Sequence, residues 1–531
     1  MPPRFSIVTP VFDPPLEAFR SCASSVLAQT EHDWEWILID DCSTNPKVRE
    51  ELRLLAASSA QVTVIERSSN GGIVAASNDG IARATGDFIV LLDHDDELTP
   101  DALHENSLVI DQHPTVDYLY SDEDKVNEAG VYYDTFSKPD WSPERLRGQN
   151  YCSHLSVLRT SLVREVGAFR PGFDGSQDYD LFLRVTEKAR AIAHIPKVLY
   201  HWRTVAGSAA LDPEAKPYAL VAAQKAVQEH LNRVGISGTV ETTPEFYLRT
   251  TRNLTRHPKV SIVIPTCGTA KRIWGRDMVL VETAVTSIVE RSSYSNYEIV
   301  VVYDTPRTPN SVLQNLRSVV GTKLVEVPYG KAFNFSEKCN LGVVRSSGDI
   351  IILLNDDTQV FSPDWIEGLI TFLDEPDVGM VGPLLLLEDG RIQSAGHFYN
   401  LGAHNAAFGL SPDERGPFSV LTMPAERSGL TMACVAIPRD VFDEVGGLCV
   451  EFPRAFNDVD FGNKLDARGY RMIWTPNVAL HHFESVSRDP RVDDDEIQAL
   501  WGRWGSVVLG RDRFLPNFDF TIHGIDPTVH R

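Results

Sequence analysis

Twice along this chain an apolar run ends in a knot of acids: "FIVLLDHDDELTP", Phe88 to Pro100, and "IIILLNDDTQVFSP", Ile350 to Pro363. Each reads as a buried strand that delivers carboxylates at its end, Asp93 and Asp95 in the first copy, Asp357 beside Asn355 in the second. Ligands of open parallel α/β sheets sit outside the carboxyl ends of strands, and Asp41, following "WILI", would join the same edge. Mg²⁺ and Mn²⁺ take oxygen ligands while keeping positions for substrate phosphates, so such an edge suits a divalent metal bridging a diphosphate. No G-x-G-x-x-G follows the first strand and no Walker A sequence occurs, which leaves metal to hold a diphosphate in place of a glycine-rich loop. A lone acid here would read as a turn or cap residue; the repetition weighs against that.

The elements that would position these acids also repeat. "FSIVTPVF" recurs as "VSIVIPTC", each a β-branched run closed near a proline. In the first copy "LEAFRSCASSVLAQT" has near-helical apolar spacing, followed by "WEWILIDD", a helix, "VTVIER", the helical "GIVAASNDGIARA" and "FIVLL". The second copy runs through "YEIVVVYD", "TKLVEVP" and "FSEKCNLGVVRSS" to "DIIILL" in the same order. This βαβαβα alternation predicts an α/β fold with a mainly parallel sheet, built twice. Asp178 of "QDYDLFLRV" and His201 of "LYHWR" have the same separation as Asp458 of "NDVDFGNKL" and His481 of "ALHHFE". The helix "KPYALVAAQKAVQEHLNRVG" closes the first copy, and a polar linker places the boundary near Arg256, giving domains 1–256 and 257–531. An acidic-capped helix and an extended end follow Asp489.

Composition narrows the function. A chain of 531 residues with 43% hydrophobic and 23% charged content fits two soluble globular domains. The net charge of −23, with no long Lys/Arg runs, disfavours nucleic acid. Seven scattered cysteines without a C-x-x-C pair suggest a reducing compartment and no structural zinc. The strand-like N-terminus leaves no room for a signal peptide, and apolar runs are too short to span a bilayer, so a cytoplasmic protein with at most peripheral membrane contact is expected.

The motifs "SIVTPVFDPP", "WEWILIDDCST", "NGGIVAASNDGIARATGDFIVLLDHDDELTPDAL" and "QDYDLFLRV" resemble family 2 glycosyltransferases, inverting enzymes of the GT-A fold. "FNFSEKCNLGVVRSSGDIIILLNDDTQVFSPDWIEGL", "SGLTMACVAIPRDVFDEVGGL" and "FNDVDFGNKLDARGYRMIWTP" resemble that family's rhamnosyl- and galactofuranosyl-type branch. The resemblance implies that Thr9, Pro10 and Asp41 hold the nucleotide, that Asp93 and Asp95 carry Mg²⁺ or Mn²⁺, and that Asp178 is the catalytic base. It places His201 and Arg203 beside the diphosphate or in the metal shell. The matching set in the second copy is Pro265, Thr266 and Asp304, then Asn355 and Asp357, then Asp458 with His481 or His482.

The resemblance further implies a bifunctional enzyme using UDP- or dTDP-sugars to extend a lipid-linked bacterial surface polysaccharide such as O-antigen. Gln177 stands where a Glu often precedes the base, Asn355 replaces an acid, and Tyr303-Asp304-Thr305-Pro306 replaces the usual nucleotide loop. These departures leave open a single-activity enzyme whose second domain binds or scaffolds glycan. A sugar nucleotidyltransferase is a remoter alternative, since "TPVFDPPLEAF" lacks its Gly- and basic-rich loop. The acidic "YSDEDKV", Tyr120 to Val126, reads as a turn lining the acceptor groove. Trp141, Trp202, Trp365 and Trp474 could stack on sugars, although buried packing is the commoner fate of Trp.

Overall fold

A computed structural model of the chain describes residues 2–204, 217–245, 247–483 and 492–516. It divides into two compact units, one of Met1–Trp141 with Leu146–Thr251, the other of Ser142–Arg145 with Arg252–Arg531. The strands of the first unit's main sheet are β1 (Phe5–Val11), β2 (Trp34–Asp40), β3 (Val62–Glu66), β4 (Phe88–Leu91), β5 (Glu97–Leu98), β6 (Tyr118–Val126), β7 (Tyr132–Phe136), β8 (Ser156–Arg159) and β9 (Ile192–Arg203). They lie in the order β3-β2-β1-β4-β8-β6-β9-β5, with β7 on β6. β1, β2, β3 and β4 are mutually parallel, β8 is antiparallel to both β4 and β6, and β9 runs parallel to β6.

The second unit repeats this order and these directions. Leu324–Tyr329, Tyr297–Asp304, Val260–Thr266 and Ile350–Leu354 form the parallel half, followed by Cys434–Pro438, Val378–Leu386, Arg471–His482 and Thr358–Val360. Both sheets are α/β and mainly parallel. The β-branched central strands are buried on both faces, which is why they read as continuous apolar runs.

Two details show how closely the copies agree. A Cβ at Gly80 would lie 2.6 Å from both Val8 and Ile39, and one at Gly342 would lie 2.4 Å from Val263 and 2.9 Å from Val302. In each unit the helix after the third strand therefore presses its backbone onto the first two strands, an approach that only glycine permits. Below, Ser6 donates to Glu35 at 2.6 Å and accepts from the Gly86 amide at 2.8 Å, while Glu35 accepts from the Thr85 amide at 2.5 Å. Ser261, Glu298, Gly348 and Ser347 repeat the arrangement at 2.7, 2.8 and 2.6 Å.

Some expectations need correction. Tyr120 to Val126 is not a turn but part of β6, an inner strand whose acids are buried and paired across the fold. Trp365 and Trp474 are fully buried and cannot stack on a sugar. The first unit's last helix is Pro217–Val234, and Asp494–Val508 is a helix with Asp494, Asp495 and Glu496 in its first turn. Most of the expected extended end lies outside the described residues. All seven cysteines are free thiols. Among the described residues no helix is long and apolar enough to cross a membrane.

Candidate active sites

In the first unit the acids follow β4 at the carboxyl edge of the sheet. Asp96 is buried, held by the Tyr200 hydroxyl and by the Arg203 amide at 2.7 Å. The Arg203 side chain donates to the Asp95 carbonyl at 2.7 Å and pairs with Glu97. Burial, reinforced by the neighbouring acids, raises the Asp96 carboxyl well above its ordinary range; burial and Asp93 also raise Asp95, against the opposing pull of His94. Ligand atoms of Asp93, Asp96 and His154 all fall within 4.8 Å of one another. Burial works to discharge His154, yet Glu123, Asp96 and Asp93 outweigh it and push its pKa up to about 9. The donor set of two carboxylates and an imidazole fits a divalent cation, which would offset the crowded acids and displace the His154 proton on binding.

Asp178 opens the helix Gln177–Thr186, where the dipole favours an acid. Asn150 Nδ2 donates to its Oδ2 at 2.9 Å. Burial chiefly raises its carboxyl, with Asp93 adding to the rise and His154 opposing it, so the three side chains share one electrostatic neighbourhood. Two positions on, Asp180 is fully buried and tied to Arg170 and Arg184. Asp41 accepts from Arg67 at 2.5 Å and from the Gly71 and Gly72 amides at 2.9 and 2.8 Å, shaping the start of the next helix. Thr9 accepts from Trp36 Nε1 at 3.0 Å, and the Pro10 carbonyl meets His94 Nδ1 at 3.0 Å.

His201 stands opposite Glu97 on β9, but its Nδ1 is engaged by Asp124 Oδ1 at 2.5 Å. It does not join the group formed by Asp93, Asp96 and His154. Sequence reasoning missed His154 and Asp96 in that role, together with Glu123 and Lys138. The Lys138 ammonium is fully buried, 3.0 Å from Glu123 Oε2, and Glu123 in turn accepts from the His154 amide at 3.1 Å. The acidic "SDEDK" run was a signal for Glu123 alone.

In the second unit Gln359 stands opposite His481, reproducing the Glu97–His201 register. His481 nevertheless meets the Leu387 carbonyl at 3.1 Å, and it is His482 that approaches the strand-end acids, with Nε2 3.2 Å from Asp357 Oδ1 and 3.4 Å from Asn355 Nδ2. Burial tends to raise Asp357, but His482 and Lys271 outweigh it and the carboxyl lies below its usual range. Among the described residues Asn355 Oδ1 is buried without a hydrogen-bond partner, an oxygen that a hard cation would satisfy. Asp356, missed from the sequence, accepts from Thr266 Oγ1 at 2.6 Å and is pushed by burial and by Asp357 up to about 7. Lys338 binds Asp304 at 2.8 Å and the Thr266 carbonyl at 2.9 Å, beside Pro265. Asp458 opens the helix Asn457–Asp466, with His397 Nε2 3.8 Å from its Oδ2. Asp460, like Asp180, is fully buried, with Arg503 and Trp504 Nε1 at 2.8 and 2.9 Å.

Comparison with known proteins agrees with this duplicated geometry. The model of glycosyl transferase family 2 matches residues 6–167 and again 261–418. The chain belongs to that family and carries its fold twice. An uncharacterized protein, y4gI, of Sinorhizobium fredii is 43% identical over 533 residues, covering 97% of this chain and 57% of that protein. The O-antigen biosynthesis protein RfbC of Myxococcus xanthus is 34% identical over 493 residues, covering 92% of this chain and 38% of RfbC. A chondroitin synthase of Pasteurella multocida is 28% identical over 240 residues, 44% of this chain and 24% of the synthase. The chain thus spans about half the length, or less, of these relatives.

Proposed function

We propose that the chain is a bifunctional inverting glycosyltransferase that adds two sugars in turn to a growing surface polysaccharide. Its donors are nucleotide sugars, UDP- or dTDP-linked, and its acceptor is a lipid-linked saccharide at the cytoplasmic face of the membrane. The similarity to RfbC, named for O-antigen biosynthesis, supports the polysaccharide class.

The observation that carries the two-site reading is the pair of helix-opening acids. Among the described residues Asp180 and Asp460 are committed to basic partners, whereas Asp178 and Asp458 pair with no arginine or lysine. Each is therefore free to take the proton of an acceptor hydroxyl while the hydroxyl oxygen attacks the anomeric carbon from the face opposite the diphosphate. The C–O bond to the diphosphate breaks with its electron pair, and the anomeric configuration inverts. A divalent cation, when bound, neutralises charge on the diphosphate. Asp93, Asp96 and His154 would hold it in the first unit, with Asp95 adjoining; Asn355, Asp357 and His482 would do so in the second. Thr9, Pro10 and Asp41, and in the second unit Pro265, Thr266 and Asp304, line the nucleotide end.

The test is a panel of nucleotide sugars and octyl glycosides, scored by nucleoside diphosphate release and by product mass. Asp178→Asn should remove one addition and Asp458→Asn the other, leaving products of different length. If Asp458→Asn leaves every product intact, only the first unit is catalytic and the second binds glycan.

A further inference from the structure

His397 is buried close to Asp458. It lies on the strand His397–Tyr399, paired with Ala403–Asn405, and its amide donates to the Gly429 carbonyl at 2.8 Å, so the backbone is fixed on both sides. The side chain is buried, with only 5% of the residue exposed, and its Nδ1 has no hydrogen-bond partner among the described residues. Nδ1 abuts Gly429, where an added Cβ would come within 3.1 Å of it. Nε2 points the other way, toward Asp458 Oδ2 at 3.8 Å. Burial lowers the imidazole's proton affinity against the pull of Asp458, which favours the neutral ring.

Nε2 thus faces a carboxylate that it does not reach, a gap that suits a hydroxyl able to accept from one side and donate to the other. The 3.8 Å gap is too long for a direct hydrogen bond, but one oxygen atom can lie about 2.8 Å from both Nε2 and Oδ2. With Nδ1 walled off, the ring's single proton belongs on Nε2, because a bare Nε2 lone pair would face the carboxylate.

We infer that His397 is an acceptor-binding residue of the second unit, gripping the attacking hydroxyl together with Asp458. This rests on the reading of Asp458 as the base. Nε2–H donates to the hydroxyl oxygen, which in turn directs its proton at Asp458 Oδ2. As the oxygen bonds to the anomeric carbon its proton passes to Asp458, the diphosphate leaves with the electron pair, and His397 stays neutral throughout. The first unit does this differently: Asn150 binds the base directly at 2.9 Å, so it has no such gap. The two units would therefore grip their acceptor hydroxyls differently.

The experiment has two arms. ¹⁵N-histidine spectra of the full chain, assigned through His397→Phe, report the tautomer. A neutral Nε2–H ring at pH 7, perturbed by Asp458→Asn, is expected; an imidazolium or an Nδ1–H tautomer overturns the inference. In the Asp178→Asn background, octyl glycosides serve as acceptor probes for the remaining transfer. His397→Phe should raise the acceptor KM at least tenfold while the donor KM moves less than twofold, with His397→Gln partly restoring it. Equal changes in both constants, or none, mean a packing role and overturn the inference. If Asp458→Asn leaves that transfer intact, the base assignment itself has failed, a result distinct from a silent His397→Phe.

Discussion

Asn150 donates from Nδ2 to Oδ2 of Asp178 at 2.9 Å, fixing the carboxylate at the start of its helix. Burial raises the proton affinity of this carboxylate, which suits the role of base proposed for it.

Asp178→Asn keeps the size of the side chain but cannot accept a proton. Transfer by the first unit should fall by roughly 10²-fold or more with donor affinity retained. Steady-state kinetics beside donor titration decides this: loss of donor affinity at unchanged turnover would make Asp178 a binding residue.

The acids after β4 crowd one another, and the cation proposed for them would offset that charge. Calorimetric titration should show Mn²⁺ binding to the full chain that weakens at least tenfold in Asp93→Ala, and excess EDTA should abolish transfer by the first unit until Mg²⁺ or Mn²⁺ is restored. Activity unchanged in EDTA would contradict a metal role.

Gly342 admits no side chain. Gly342→Ala sets a methyl 2.4 Å from Val263, and the resulting overpacking should cost about 1–3 kcal/mol, lowering the unfolding midpoint of the second unit. Gly80→Ala should do the same in the first. Unchanged melting curves would show that the helix can retreat.

Asp117 links pH to stability in the first unit. Burial opposes its charge, but hydrogen bonds and charge from Arg190 and Arg159 outweigh this and hold its pKa at about 2. Because the folded value lies below the unfolded one, near 4, the stabilisation is full above pH ~4 and disappears as pH falls toward 2. It amounts to roughly 2 kcal/mol by linkage. Denaturant titrations across pH 2–7 should show the wild type's advantage over Asp117→Asn shrinking through that window; a constant gap would refute it.

The sequence made the fold legible because its signals are local and periodic: apolar strands buried on both faces, helices between them, and acids where strands stop. The equal spacing of Asp178–His201 and Asp458–His481 proved to be a shared register, with Glu97 opposite His201 and Gln359 opposite His481. What the sequence hid was set by partners far along the chain. The acidic "SDEDK" read as a turn lining the acceptor groove, yet Asp122 meets His194 at 2.8 Å, Glu123 meets Lys138 at 3.0 Å and Asp124 meets His201 at 2.5 Å inside an inner strand. Spacing also could not reveal that His482, one residue beyond the matched His481, turns toward Asp357.

The serine–glutamate latch beneath each sheet has a consequence for how the two units came to differ. Ser6 with Glu35 and Ser261 with Glu298 repeat nearly atom for atom at the end of the strands remote from the acids. At the opposite end the described partners differ: Asp178 accepts from an amide and Asp458 lies 3.8 Å from an imidazole, while Asp41 is held by a guanidinium and Asp304 by an ammonium. The chain thus repeats its lower frame closely while the two edges that carry the acids are held by different side chains.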